Sequence, residues 1–589
     1  MTDSSPGAAA EHPTVGHRGE VTNYGDTGFS QFMRRAFAKG MGYTDDDLRR
    51  PTIGICNSWS ELNHCNRHLR ELAEAVKRGI WQAGGWPLEF PTISLGEIFI
   101  SPTAMLYRNL MAMDAEEMIR SQPIDGVVML ANCDKTTPAY LMGAASADIP
   151  TMFVTGGPML NGRWRGQDLG ACTDCRRYWT EYRAGTINDR DLGQLEEALF
   201  RSHGHCMVMG TASTMAAITE GLGMTLPGGA AIPAADSRRT RFAEEAGRRI
   251  VAMVSEDLRP SRIMTAAALD NAIRVVMAIG GSTNAVVHLL ALAGRLGIDL
   301  PLSRFDELSR TTPLVASMRP AGKFQMEELY EAGGIPAVMR ELLPLLNGEA
   351  LTVTGQSVSD NLASAAISSR PEVVAPLATP FAAEGGLSVL TGNLAPNGAL
   401  IKHAAASPNL LRHRGRAVVF QSLEDMANRI NAPDLDVRAD DILVLQGGGP
   451  IGGPGMPESG MIPIPAKLLA EGVRDMVRIS DARMSGTAYG TVVLHVAPEA
   501  AIGGPLAAVQ DGDEIELDVA NRRLHLNLSD QEITARLAHY RPPPPAAADR
   551  RGYRWLAANH VLQADQGCDF DFCRADWIGN EATSPSLRR

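Results

Sequence analysis

No stretch of this 589-residue sequence stays apolar long enough to cross a membrane as a helix. The most apolar long window, 275–292, is interrupted by Ser282, Thr283, Asn284 and His288, which makes it a buried helical region instead. There is no long basic run, and the net charge is -12, so neither nucleic acid nor an anionic membrane surface is an expected partner. The first residues, Met1-Thr2-Asp3-Ser4-Ser5-Pro6, lack a charged segment followed by an apolar core. No secretory signal is therefore expected, and the cytoplasm is the expected location. These absences leave small-molecule chemistry. A hydrophobic content of 44% and a charged content of 21% describe an ordinary globular chain, long enough for two or more domains.

Cysteines are few, eight in all, and only Cys172-Thr173-Asp174-Cys175 has the local spacing of a zinc or redox pair. No second pair matches it, so a zinc site there is not expected. Cys568 and Cys573, in the segment Gly-Cys-Asp-Phe-Asp-Phe-Cys, read as structural. Thiols in a chain of this kind serve chemistry or fill the core.

What is present centres on Asn132-Cys133-Asp134-Lys135-Thr136-Thr137-Pro138. The apolar run 125–131 before it reads as a buried parallel strand, Pro138 can open a helix after it, and 149–154 reads as the next strand. In an open α/β sheet, ligands bind beyond the carboxyl ends of the strands, where this unit sets Cys133, Asp134 and Lys135. The triplet alone leaves open a lesser role, since Asp and Thr cap helices and Cys is often buried.

Other segments repeat the pattern. A strand over 51–56 leads to a polar loop with Cys65 and a helix over 67–83, whose Leu69, Leu72, Val76 and Ile80 share one face. A strand over 88–93 ends at Glu97, and Ser101-Pro102 should cap a helix reaching 118. In Gly204-His205-Cys206-Met207-Val208-Met209-Gly210-Thr211, a thiol precedes a helix amino terminus, which suits an anionic sulfur; a buried free thiol is the alternative. A long helical region is expected over 241–300, and residues 1–20 read as a mobile tail.

The predicted architecture is α/β. A parallel-sheet domain with flanking helices spans 21–384, and a β-rich, barrel-like domain spans 385–589, with strands at 388–390, 417–420, 442–445 and 514–519. A rigid connector is expected at 542–545. Two loops of the second domain stand out: the glycine-rich 446–458, which carries Glu458, and 480–490, which exposes Ser485. Neither has P-loop spacing or a Rossmann fingerprint, and each alone could be a simple turn.

Taken together, these motifs resemble the dihydroxy-acid dehydratase and phosphogluconate dehydratase family, and most closely its sugar-acid branch of arabinonate and xylonate dehydratases. The resemblance runs from about residue 20 to about 575. It is carried by Asn63-His64-Cys65-Asn66, Asn132-Cys133-Asp134-Lys135-Thr136, the segment 204–215, Gly455-Met456-Pro457-Glu458 and Ser480-Asp481-Ala482-Arg483-Met484-Ser485-Gly486. Thr173-Asp174-Cys175-Arg176-Arg177 and His560-Val561-Leu562-Gln563-Ala564-Asp565 match the sugar-acid branch. The chain departs from the common pattern at His64, Asn132 and Ala482, and none of these removes a ligand.

The resemblance implies that Cys65, Cys133 and Cys206 hold an iron-sulfur cluster, a 2Fe-2S type in preference to 4Fe-4S, with one iron left open as a Lewis acid. It implies a Mg2+ ion on Glu97, Asp134, Glu458 and a carbamylated Lys135, because the ion prefers oxygen ligands and an unmodified lysine would repel it. It assigns Ser485 as the base, acting as an alkoxide, and Thr487 as a partner for the substrate carboxylate. The implied reaction removes water from a 2,3-dihydroxy carboxylate, giving a 2-keto-3-deoxy acid. A homodimer or homotetramer is implied as well. The rival within enzymes is dehydration of 2,3-dihydroxyisovalerate in branched-chain synthesis, which needs an apolar pocket where sugar acids need polar partners. An iron-sulfur redox sensor is the non-enzymatic rival, but it has no use for Glu97, Asp134, Lys135 and Ser485 together.

Overall fold

A strand buried on both faces is apolar through its middle, and β1 (Thr52–Asn57), β3 (Gly126–Ala131) and β4 (Thr151–Thr155) are buried throughout. With β2 (Trp86–Pro91) they form a parallel sheet in the order β2-β1-β3-β4. The structure is a computed structural model that describes residues 25–183, 185–542 and 550–576. The tail expected over 1–20 and most of the proline run after Pro542 lie outside those residues.

The chain moves outward in one direction from β1 to β2 and in the other from β3 to β4. The sheet therefore has its switch point between β1 and β3, where the diverging crossovers leave a crevice. The helices Leu69–Gln82 and Ser237–Ser255 cover the sheet as a close pair. Glycine permits this approach: a Cβ on Gly79 would stand 1.9 Å from the Glu244 carbonyl oxygen. The helices Arg108–Ser121 and Thr136–Ala147 form a second pair. A small hairpin of β5 (Gly162–Trp164) and β6 (Gln167–Leu169) precedes the helix Ala171–Arg183, which carries Cys175.

One helical expectation is corrected. Pro102 does not start the helix after Glu97; Thr103 caps a short turn, Ala104–Tyr107, and the α-helix begins at Arg108. The helical region expected over 241–300 is present and is built of several helices, including Ser237–Ser255, Ala266–Ala278 and Asn284–Leu296. The apolar window 275–292 is divided between the last two, because Gly280 adopts φ 58° and Gly281 has no room for a Cβ beside Thr214. Among the described residues no helix is long and apolar enough to cross a membrane.

The β-rich part is a closed eight-stranded barrel. Its strands are β7 (Ser388–Gly392), β8 (Ala395–Ile401), β9 (Arg412–Phe420), β10 (Ile442–Leu445), β11 (Arg478–Ser480), β12 (Val492–Ala497), β13 (Glu514–Asp518) and β14 (Arg523–Leu526). Around the barrel they run β10-β11-β12-β8-β7-β14-β13-β9. Alternation decides which side chains fill it: Ile442 and Val444 join Val419, Ile479 and Val493 in one core, whereas Leu443 and Leu445 pack with Phe420 and Ile462 in another. Residues 552–573 then return to the first part of the chain. There Arg108 donates to the Gly567 and Cys568 carbonyls at 2.9 and 2.8 Å, and Arg295 pairs with Asp569 at 2.8 Å.

Candidate active site

The Cys65 loop leaves the end of β1 and the Cys133 loop leaves the end of β3, so the two flank the switch point. Asn132 ties them together, its Nδ2 donating to the Cys65 carbonyl at 2.8 Å and to the Gly157 carbonyl at 2.9 Å. Cys206 arrives on a third loop, held by a bridge between Pro158 and His205 beyond β4. The thiols meet: Cys65 is held well above the ordinary thiol range first by its hydrogen bond with Cys133, then by burial and by the proximity of Cys133, Cys206 and Asp134. Beside them the buried Asn132 Oδ1 and His205 Nε2 find no partner.

Next to the thiols lies a carboxylate group built from both parts of the chain. Lys135 is wholly buried, its Nζ 2.5 Å from Asp134 Oδ2 and 4.0 Å from Glu458 Oε1. Asp134 and Glu458 keep 18% and 20% of their side chains exposed, whereas Lys135 is covered by them and by the surrounding chain. Burial pushes Asp134 up, but the Lys135 charge and hydrogen bond, with Arg483, hold its carboxyl below the ordinary range. Glu458 moves the other way. Burial raises it, Glu97 and Asp134 add to the rise, and Lys135 and Arg483 offset only part of it. Glu97 is oriented by Thr103, whose hydroxyl donates to Oε1 at 2.7 Å, and by the Ala104 N–H, which donates to Oε2 at 2.9 Å.

Arg483 joins these carboxylates to the barrel. It is fully buried and donates to Glu458 at 3.2 Å, to Thr103 Oγ1 at 3.2 Å and to the Met456 carbonyl at 2.7 Å. Asn284 donates to Glu458 Oε1 at 3.3 Å, to the Met484 carbonyl at 3.1 Å and to Thr211 Oγ1 at 3.1 Å, linking Glu458 to the serine loop. In that loop Ser485 Oγ and Thr487 Oγ1 are 2.8 Å apart, and Thr173 donates to the Thr487 carbonyl at 2.9 Å. The glycine-rich loop bearing Glu458 is pinned by buried carboxylates: Asp481 accepts from the Gly447, Gly448 and Ala500 N–H groups, and Glu499 from those of Ile451 and Gly452.

All nine residues singled out in the sequence thus belong to two adjoining clusters, thiols on one side and carboxylates with the serine loop on the other. Arg483, Thr103, Asn284 and Asp481 are additions. Arg483 and Asp481 lie inside a recognised motif; Asn284 had only its polarity within an apolar run as a signal. Among the described residues no three His, Cys, Asp or Glu side chains are arranged to hold an ion as they stand. The reason is visible in the pairings: Asp134 is taken by Lys135 and Glu458 by Arg483. The donor types fit the two groups implied. Three thiols suit iron and sulfide, and Asp134 and Glu458 beside one lysine, with Glu97 close to Glu458, suit a hard cation once the lysine charge is removed.

Residues 50–361 match the dihydroxy-acid/6-phosphogluconate dehydratase N-terminal domain and residues 372–568 the C-terminal domain of the same family. The chain belongs to that family. It is accordingly a dehydratase, a carbon–oxygen hydro-lyase. An L-arabonate dehydratase of Azospirillum brasilense is 53% identical over 559 residues, covering 93% of this chain and 95% of that one. An L-arabinonate dehydratase of Rhizobium leguminosarum bv. trifolii is 51% identical over 565 residues, covering 95% and 97%. A 6-deoxy-6-sulfo-D-gluconate dehydratase of Pseudomonas putida is 48% identical over 550 residues, covering 92% and 94%. Within the dehydratase family the chain lies with the sugar-acid branch.

Proposed function

We propose that the protein dehydrates an aldonic acid such as arabinonate or xylonate to the 2-keto-3-deoxy acid. Cys65, Cys133 and Cys206 would hold an iron-sulfur cluster, of 2Fe-2S type, and Glu97, Asp134, Glu458 and Lys135 a Mg2+ ion. When bound, the two groups supply Lewis acidity, at the departing C3 hydroxyl and at the carboxylate end respectively. The observation that carries the reading is the convergence of three thiols, three carboxylates and the Ser485 hydroxyl where loops of the sheet meet loops of the barrel.

The chain's own residues account for the rest. Ser485 takes the C2 proton, and Thr487, hydrogen-bonded to it at 2.8 Å, holds the substrate carboxylate and orients the base. The C3 hydroxyl departs with the proton that Ser485 took, as water, which restores the base and leaves an enol that tautomerises to the keto acid. Lys135 serves as a ligand only without its positive charge. Addition of CO2 to neutral Nζ, with release of a proton, forms a carbamate and replaces the cation that now pairs with Asp134 by an anionic oxygen donor. Arg483 keeps Glu458 aimed at the centre, and Thr103 does the same for Glu97.

Replacing Ser485 by Ala in anaerobically prepared, cluster-loaded protein with Mg2+ tests the base. Keto-acid formation from L-arabinonate should fall by about 10³-fold or more while the visible absorbance of the cluster is unchanged. Retained turnover would remove Ser485 from this role.

A further inference from the structure

Lys402 follows the last residue of β8 and points into the protein. Its side chain is 1% exposed, and its Nζ reaches one acceptor, the Gly486 carbonyl, at 3.5 Å. An ammonium has three donors, and a single long bond to a neutral carbonyl does not offset its desolvation. Burial, with no carboxylate opposing it, pushes the lysine down to about 7. An apolar side chain of similar length would be at least as stable at this position. Stability therefore gives no reason for a lysine here.

Its position gives one. Gly486 lies between Ser485 and Thr487 in close packing: a Cβ there would stand 2.7 Å from both the Thr211 nitrogen and Ser282 Oγ. The chain after Lys402 is fastened to the same loop, with the Gly490 N–H donating to the Ala405 carbonyl at 2.8 Å and the Ser407 N–H to Thr491 Oγ1 at 3.2 Å. The neighbouring charges are engaged elsewhere. His403 bonds Ser388 Oγ at 2.8 Å, and Arg522 pairs with Asp306 and Glu384. Lys402 itself forms no ion pair among the described residues.

We propose that Lys402 is a positioning residue for the reaction: its ammonium, acting through the Gly486 peptide, fixes the Ser485 hydroxyl and favours negative charge on it. This rests on the assignment of Ser485 as base. A serine hydroxyl needs a nearby cation to ionise, and the effect is mutual, because an anionic Ser485 stabilises the buried ammonium in turn.

The test uses Lys402→Met and Lys402→Arg in the full-length, cluster-loaded enzyme with Mg2+, reading kcat, KM, the pH profile of kcat, cluster absorbance and the thermal midpoint. Lys402→Met should keep the absorbance and a midpoint no lower than the parent. Its KM should stay within about twofold, its kcat should fall by about 10- to 100-fold, and the acidic limb of its profile should move to higher pH. Lys402→Arg, which keeps the charge, should recover most of the profile. An unchanged kcat and profile in Lys402→Met would overturn the proposal, and so would a Lys402→Arg enzyme as impaired as Lys402→Met. If Lys402→Met does not fold, Lys402→Gln takes the same readings. Ser485→Ala in the same assay separates the two assignments: inactive Ser485→Ala with normal Lys402→Met rejects the lysine role alone, whereas active Ser485→Ala rejects the base and the lysine role with it.

Discussion

Asn132 and Cys65 are joined by a 2.8 Å hydrogen bond from the amide Nδ2 to the cysteine carbonyl, across the switch point of the sheet. The same amide donates to Gly157, so one side chain sets the spacing of the loops that follow β1, β3 and β4. Asn132→Ala removes both bonds and leaves two carbonyls without this donor. The expected cost is about 2 kcal/mol of stability, read by denaturant unfolding of the cluster-free protein, together with faster loss of cluster absorbance on exposure to air.

Arg483 is the next test. Its guanidinium makes separate bonds to Met456, Glu458 and Thr103, a set that one ammonium cannot reproduce. Arg483→Lys should fold yet bind Mg2+ about tenfold or more weakly, by titration of activity against the ion, because Glu458 loses its fixed direction. Arg483→Ala should be destabilised by about 2–3 kcal/mol, since it removes three buried hydrogen bonds at once and leaves Glu458 with Asn284 and Lys135 alone.

A pH effect follows from His495. It lies at the irregularity between β12 and β8 with φ 55°, is buried, and has no partner on either ring nitrogen. Burial, then the Arg483 charge, lowers it to about 3. A base lowered in the folded state contributes stability that is present above its unfolded value of about 6.5 and is lost as pH falls toward 3. Asn tolerates the left-handed backbone and does not titrate there, so His495→Asn should flatten the fall of unfolding free energy between pH 6.5 and 4 relative to the parent.

Lys135 offers a prediction about modification. Mass analysis of the intact protein, prepared in bicarbonate and kept near neutral pH, should show the addition of one CO2 that Lys135→Met abolishes. Acid treatment should remove the addition from the parent as well, because a carbamate decomposes when protonated.

How much of this was legible in the sequence depends on where partners lie along the chain. Strands β1, β3 and β4 stand out as apolar runs because both of their faces are covered, whereas the edge strand β2 carries the exposed Glu89. The barrel is half legible: β7, β9, β10 and β13 read as strands, whereas β11 is three residues long, β14 alternates polar and apolar residues, β8 contains Pro396 and Gly398, and β12 is interrupted by His495. The helix start after Glu97 failed because a short turn there is set by tertiary contacts, and the break at Gly280 and Gly281 inside the helical region has the same origin. The thiols and carboxylates could be named from their motifs. Lys402 could not, since its partner Gly486 is 84 residues away and the end of an apolar strand gives no hint of it. Arg483 stands inside a recognisable motif, but its bonds to Thr103 and Glu458 appear only when the barrel meets the sheet.

The most direct test of the account is keto-acid formation by anaerobically purified, cluster-loaded protein with Mg2+, comparing L-arabinonate, D-xylonate, D-gluconate and 2,3-dihydroxyisovalerate. The account predicts faster turnover of the aldonates than of the branched acid. A clear preference for 2,3-dihydroxyisovalerate would contradict the sugar-acid assignment, and no turnover of any of the four would contradict the proposed dehydration as a whole.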